Sequence, residues 1–256
     1  MSAQPAHFTK HISLLSYPFL SSTFTLTQVN DGISNGTALW LGGQCLAMYL
    51  AQEQHKLRPQ GSSRPPRAIE LGSGIGLTAL ALSSLGWDLL ATDLRHVISS
   101  VLEKNVKNNL SALPSGSGKI QIRELDWLVP PDKWFWDQSL PHLAEAQGLI
   151  RPPFDLIVSA DTIYSTELLE PMLRTLHALS ALSKSSTSRF PPILLCIERR
   201  DPELIDQLLE NAKEKWQFSV ERIPHKKVAK IVEKSAQWDK SEWDDVELWK
   251  LRLRTQ

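Results

Sequence analysis

The chain has 256 residues, 42% of them hydrophobic and 22% charged, a composition that suits one large buried core and excludes a disordered or fibrous protein. Lys plus Arg and Asp plus Glu stand at 28 each, so no overall field draws it to nucleic acid or to anionic lipid, and only a local basic patch stays open. The two cysteines, Cys45 and Cys196, lie in apolar runs and make neither a disulfide framework nor a zinc site, and no window approaches the ~18 apolar residues of a membrane span. They are expected to be buried thiols in a reducing compartment, the cytoplasm first and the nucleus also open.

From residue 68 apolar strand-like runs alternate with helical ones. "RAIELGS" reads as a strand ending in glycine, and "GLTALALSSLG" as a helix stopped by Gly86. "DLLATD" is a second strand. "HVISSVLEKNVKNNL" is amphipathic, with Val97, Val101, Leu102 and Val106 on one side. "KIQIRELDW" is a third strand, and "FDLIVSAD" is a fourth, apolar enough to be covered on both faces. "TELLEPMLRTLHALSAL" reads as a helix kinked or restarted at Pro171. "PILLCIER" is a fifth strand, and "DPELIDQLLENAKE" is a helix capped by Asp201 with Pro202 at its first position. "WQFSVERI" and "DVELWKLRL" read as two closing strands with no helix between them, and the intervening "HKKVAKIVEKSAQWDKSEWDD" as a solvated loop of mixed charge. Such alternation implies an α/β fold: a single-domain, Rossmann-like, doubly wound sheet of seven mostly parallel strands, with an antiparallel edge strand and helices on both faces. Turn-rich stretches such as "SALPSGSG", "SKSSTSRFPP" and "RPQGSSRPPR" are loops between these units.

Acidic residues and glycines gather at the strand ends. Glu70 precedes the run Gly72, Ser73, Gly74 and Gly76, a bare turn between strand and helix whose N–H groups lie open to a ligand. The spacing is G-x-G-x-G, with Leu77 where a dinucleotide fingerprint has its last glycine. An acid two positions before the first glycine suits a ligand carrying positive charge, as S-adenosylmethionine does at its ammonium and sulfonium. Asp93 ends the second strand and can accept the hydroxyls of a ribose; its other reading is an N-cap. Asp126 and Trp127 end the third strand, where a carboxylate can accept an adenine amino group beside an indole; their other reading is a surface turn.

The sequence resembles the class I, seven-β-strand methyltransferases, and more narrowly the small protein-lysine methyltransferases that modify valosin-containing protein, Hsp70 and translation elongation factors. "GTALWLGGQCLAMYL", "ELGSGIGL", "ATDL", "LDW", "SADTIYSTELLEPMLRTL" and "VELWKLRL" carry the resemblance. It divides the chain into an N-terminal extension, 1–34, packed on a methyltransferase domain, 35–256. The resemblance implies S-adenosylmethionine as cofactor, with Trp40 against it, the Gly72–Gly74 turn at its methionine end, Asp93 at its ribose, and Trp127 and Ala160 lining the rest. The family's Asp-x-x-Tyr tetrad is matched by Asp161, Thr162, Ile163 and Tyr164. Methyltransferases acting on nucleic-acid bases carry Pro-Pro inside the corresponding motif, which is absent here.

A protein lysine is therefore the expected acceptor, on a chaperone, an AAA ATPase or a translation factor, with nucleic acid and membrane disfavoured as partners. Asp161 is expected to position the incoming amine and to take its proton early, and Tyr164 to wall the channel with its ring face. For Asp161 an N-cap on the following helix is the alternative. No metal site is expected. The rival functions are methylation of a small amine and a non-catalytic adaptor on the same fold. The segment 129–153, with Trp134, Phe135 and Trp136, reads as aromatics tucked under a long loop, or as a wall on the substrate side.

Overall fold

The computed structural model describes residues 3–29, 35–61, 64–136, 148–184 and 189–255. A short helix α1 (Ala6–Thr9) leads into a hairpin of β1 (Leu14–Phe19) and β2 (Ser22–Thr27). Helix α2 (Leu41–Leu57) precedes β3 (Arg67–Leu71), α3 (Leu77–Ser84) and β4 (Asp88–Asp93). Next come α4 (Arg95–Val97), a π-turn (Ile98–Leu102), α5 (Glu103–Asn109) and β5 (Ile120–Glu124). β6 (Leu156–Ala160), α6 (Leu169–Leu182), β7 (Ile193–Glu198) and α7 (Pro202–Glu214) continue the alternation, and β8 (Phe218–Arg222), α8 (His225–Ser235) and β9 (Val246–Leu253) close it.

The main sheet runs β5-β4-β3-β6-β7-β9-β8, with β3 through β7 parallel and β9 antiparallel to both neighbours. The antiparallel strand thus sits one place in from the edge. Alternate strand residues feed two cores, as a pleat requires. Ala68, Leu89, Leu156 and Leu194 face the side covered by α2, α3, α8 and the hairpin, whereas Ile69, Leu90, Ile157 and Ile193 face α6 and α7. Both cysteines are buried and free.

Two expectations are corrected. A helix, α8, does join the closing strands, because Val228, Ile231 and Val232 form an apolar stripe that is buried beneath otherwise charged residues. Pro171 does not interrupt α6: a 3-10 turn (Thr166–Leu168) passes into α6 at Leu169, so the proline falls in the first α-helical turn, where its missing N–H has no partner to lose. Asp201 caps α7 as expected, accepting the Leu204 N–H at 3.1 Å.

The hairpin is paired along its free edge by side chains. Asn105 Oδ1 accepts the Thr27 N–H at 2.7 Å and Asn109 Oδ1 accepts the Thr25 N–H at 2.8 Å, while each amide donates back to the same residue's carbonyl. Two asparagines one helical turn apart so replace a neighbouring strand. The boundary expected after residue 34 falls outside the described residues. Of 129–153, Trp134 and Trp136 pack partly buried on the α6/α7 core and Phe135 is exposed, while 137–147 lie outside the described residues.

Candidate active site

Strand order reverses between β3 and β6, and open α/β sheets bind ligands beyond the carboxyl ends of the strands at such a point. A cavity of about 540 Å³ lies there. It falls in the range that holds cofactor-sized ligands.

The glycine turn forms one wall. Gly72, Gly74 and Gly76 all adopt positive φ (70°, 53° and 88°), which only glycine enters without strain. A Cβ on Gly72 would run into the Thr162 methyl, and one on Gly74 would meet the Gly36 carbonyl at 3.1 Å. Gly72 and Gly74 line the cavity; Gly76 begins α3 behind them, pressed on Leu102, and Ser73 is buried. Glu70 is also buried and off the cavity wall. Burial pushes its carboxyl up to about 8, against the lowering effect of the Ser73 and Thr78 hydroxyls. The structure thus separates the expected cofactor turn into a lining pair and a supporting set.

Asp93 ends β4 at the cavity, with Oδ2 accepting the Gly74 N–H at 2.7 Å and Oδ1 the Leu94 N–H at 2.7 Å. It therefore binds the glycine turn to the second strand and does not cap α4, whose cap position is Leu94. Burial raises its pKa while the two N–H groups lower it. Asp126 and Trp127 follow β5 and line the cavity beside Leu125 and Leu128. Asp126 Oδ1 accepts the Leu128 N–H at 2.9 Å, and Trp127 is anchored by Arg174, which donates to its carbonyl at 2.7 Å.

A second wall joins four separate parts of the chain. Ala160 ends β6, and Asp161 follows with φ of 52°, a left-handed conformation unusual outside glycine. That turn aims the carboxylate away from α6 and toward the start of α2. Asp161 Oδ2 accepts the Gly42 N–H at 2.6 Å, and Oδ1 accepts the Glu198 N–H at 2.8 Å. Asp161 is accordingly not the cap of its own helix; Ser165 fills that place, accepting the Glu167 N–H at 3.4 Å. The approach works only because residue 42 is glycine, since a Cβ there would sit 2.6 Å from both carboxylate oxygens. Burial pushes the Asp161 carboxyl up to about 6, with the Glu198 and Gly42 N–H groups and the Arg200 charge opposing it.

Trp40 precedes α2 and lines the same wall, with the Arg200 guanidinium carbon 4.2 Å and Lys10 Nζ 3.5 Å from its ring centroid. Tyr164 stands at the rim, 56% exposed. Of the expected site residues Trp40, Gly72, Gly74, Asp93, Asp126, Trp127, Ala160, Asp161 and Tyr164 meet around the cavity, and Glu70, Ser73 and Gly76 do not. Sequence reasoning missed Arg200, His96 and the apolar lining from Leu94 and Val97, and named Thr162 only as a member of the tetrad. It also missed Gly42, although the "GG" at the start of α2 was a signal that something presses on that turn.

The cavity's donors and acceptors fit adenosylmethionine. Carboxylates at two strand ends face it as acceptors, an indole and leucines offer a flat apolar slot, and the glycine turn leaves room for a polar tail.

A lysine methyltransferase profile matches residues 21–218. Mouse METTL21A, a protein N-lysine methyltransferase, is 30% identical across 66% of this chain and 66% of its own length. Human methyltransferase-like protein 22 is 26% identical across 64% of this chain and 38% of its own length. The chain thus matches less than two thirds of the length of either relative. Among solved structures, a putative SAM-dependent methyltransferase from Streptococcus mutans superposes with a TM-score of 0.51 at 12% identity, over 94% of this chain and 56% of that one, a likeness of fold alone. With most of its length under the family profile, the chain belongs to the lysine methyltransferase family.

Proposed function

We propose that the protein transfers a methyl group from S-adenosylmethionine to the side-chain amine of a lysine in an intracellular protein. The observation that carries the reading is the left-handed Asp161, which lines the cavity together with Trp40, Tyr164 and the Gly72–Gly74 turn. The two free, buried cysteines support a reducing setting, the cytoplasm first. Chaperones, AAA ATPases and translation factors are the substrate classes to test first, as the named relatives include an EEF1A lysine methyltransferase from Xenopus tropicalis.

When bound, the cofactor supplies an electrophilic methyl on a sulfonium, so the protein need form no covalent intermediate. Asp93 would hold the ribose hydroxyls through the lone pairs that its two backbone bonds leave free. Asp126 would accept the adenine amino group, with Trp127 and the neighbouring leucines offering an apolar surface to the ring. On the acceptor side a lysine arrives as ammonium, because its ordinary pKa is about 10.4. Asp161 holds that ammonium, Trp40 and Tyr164 strip water from it, and desolvation favours loss of its proton. Asp161 takes the proton early, and its raised pKa makes it a better acceptor than an exposed aspartate. The backbone bonds from Gly42 and Glu198 keep the carboxylate fixed while the amine aligns.

The test is incubation of the purified chain with tritiated adenosylmethionine and lysate of the matching species, followed by mass spectrometry of the labelled species. Label on a lysine of a protein is expected. Label resisting protease and lost to nuclease, or label confined to small molecules, ends the protein-substrate reading. In calorimetry adenosylhomocysteine should bind and NAD should not; the reverse result removes the cofactor assignment.

A further inference from the structure

One lysine of this chain packs on a residue of the acceptor wall. Lys10 Nζ lies 3.5 Å from the centroid of Trp40, which lines the cavity together with Asp161. The backbone around Lys10 is tied down on both sides. Gln28, buried, donates to the carbonyls of Thr9 at 2.9 Å and Ile12 at 2.8 Å, and its own oxygen accepts the Leu39 N–H at 2.7 Å. One side chain thereby clamps the residues flanking Lys10 to the residue before Trp40. Farther back, Trp238 donates to the Ala3 carbonyl at 2.7 Å and Gln44 to that of Gln4 at 2.8 Å. The strap that carries Lys10 is part of the fold.

The surroundings suit an amine that must lose a proton. Burial and the Arg200 charge lower the Lys10 pKa, while Glu198 and Asp161 raise it, and the net direction is downward. Arg200 is itself held by Glu198 at 2.7 Å, which keeps its charge at the Trp40 ring. A lysine there is more easily neutral than one in water, and it shares a locus with the carboxylate assigned to the acceptor amine.

We propose that Lys10 is a methyl acceptor in cis, so that the chain modifies its own N-terminal strap. The proposal rests on the methyltransferase reading above. In the step, Lys10 Nζ first gives a proton to water or Asp161. Its lone pair then forms the N–C bond as the C–S bond breaks, the bonding pair stays on sulfur as a thioether, and the nitrogen becomes a secondary ammonium that gives up a further proton only ahead of another methyl. The product is methylated Lys10 and adenosylhomocysteine. Methylation keeps the nitrogen's charge, so the contact with Trp40 survives, while a fully methylated nitrogen takes no further methyl.

The test uses the full chain with tritiated adenosylmethionine, with and without lysate, and peptide mass spectrometry. Label on Lys10 is expected, with a first-order rate unchanged over a hundredfold dilution of the protein, and Lys10→Arg should lose at least nine-tenths of the label carried by the chain itself. Label on a lysate protein with none on Lys10 overturns the proposal and leaves the methyltransferase reading standing. Label on neither overturns both. A rate that falls in proportion to dilution, or label undiminished in Lys10→Arg, also overturns it. A second readout needs no cofactor: competitive acetylation by acetic anhydride across pH should give Lys10 a midpoint below the ordinary lysine value, and Trp40→Ala should move that midpoint. An ordinary midpoint, unmoved in Trp40→Ala, takes Lys10 away from the wall and overturns the proposal.

Discussion

The two walls of the cavity are built in opposite ways. The wall of the glycine turn, Asp93 and Asp126–Trp127 comes from three successive strand ends, each within a few residues of its own strand. The acceptor wall joins Trp40, Asp161 and Arg200, with Lys10 packed on Trp40, and these meet only because the N-terminal strap, the start of α2 and the ends of β6 and β7 converge. One wall is a property of local turns, and the other of long-range assembly. A cofactor site of the first kind can serve many acceptors. Acceptor choice then belongs to the second wall, where each residue is placed by a different element.

The sharpest break in that comparison is Asp161→Asn, which keeps the side chain's shape and removes its charge. Turnover should fall on the order of a hundredfold or more, the scale of a lost acid–base group, with adenosylhomocysteine affinity near wild type and a lowered melting temperature, because the Asn amide turns a donor toward one of the two backbone N–H groups that the carboxylate accepts. Rising pH frees more lysine amine, so kcat/KM should climb with pH throughout. Below about 6, where Asp161 takes up a proton, the wild-type slope should steepen from one power of proton concentration to two, and the Asn variant should keep a slope of one. A variant that unfolds easily yet methylates normally when folded would make Asp161 purely a structural tie.

Asp93→Ala strikes the other wall. It removes an ionised acceptor and frees the Gly74 N–H, so calorimetry should show adenosylhomocysteine binding weakened by about 1.5–3 kcal/mol. Unchanged affinity would take Asp93 out of the site. Gly42→Ala tests whether the walls are separable. Alanine is otherwise the better helix residue, but its Cβ would displace the Asp161 carboxylate, so turnover should drop about tenfold with cofactor affinity retained. Equal losses in both measurements would mean that the two walls act as one unit.

The smallest effect belongs to Glu70→Gln, beneath the glycine turn. The folded-state pKa of Glu70 is raised to about 8, so its contribution is fully present below the unfolded value near 4.5 and is lost as pH rises through 8. The Gln variant should therefore melt higher than wild type at pH 9 and match it at pH 4. A variant less stable than wild type at pH 9 would show that the Glu70 carboxylate is paired when ionised.

Much of this architecture is legible from residue patterns. Strand β6 reads as fully covered because "LIVSA" has no polar side to show water, and Gly86 marks the end of α3 through its positive φ. Helix α8 escaped because only Val228, Ile231 and Val232 form its stripe, and the charges between them resemble a solvated loop until β9 and α2 cover that side. The hairpin escaped for a related reason: the partner of its free edge is a pair of asparagines about 80 residues away.

By itself the sequence determined the parallel sheet, the glycine turn and the acids at the strand ends, because hydrophobic period, positive φ and capping are decided within one or two turns of chain. Only the tertiary structure decided which glycines line the cavity, that Asp161 ties α2 to β7, and that Lys10 and Arg200 meet on Trp40. Those contacts depend on how separate elements pack, and a residue's neighbours along the chain carry no record of its neighbours across the core.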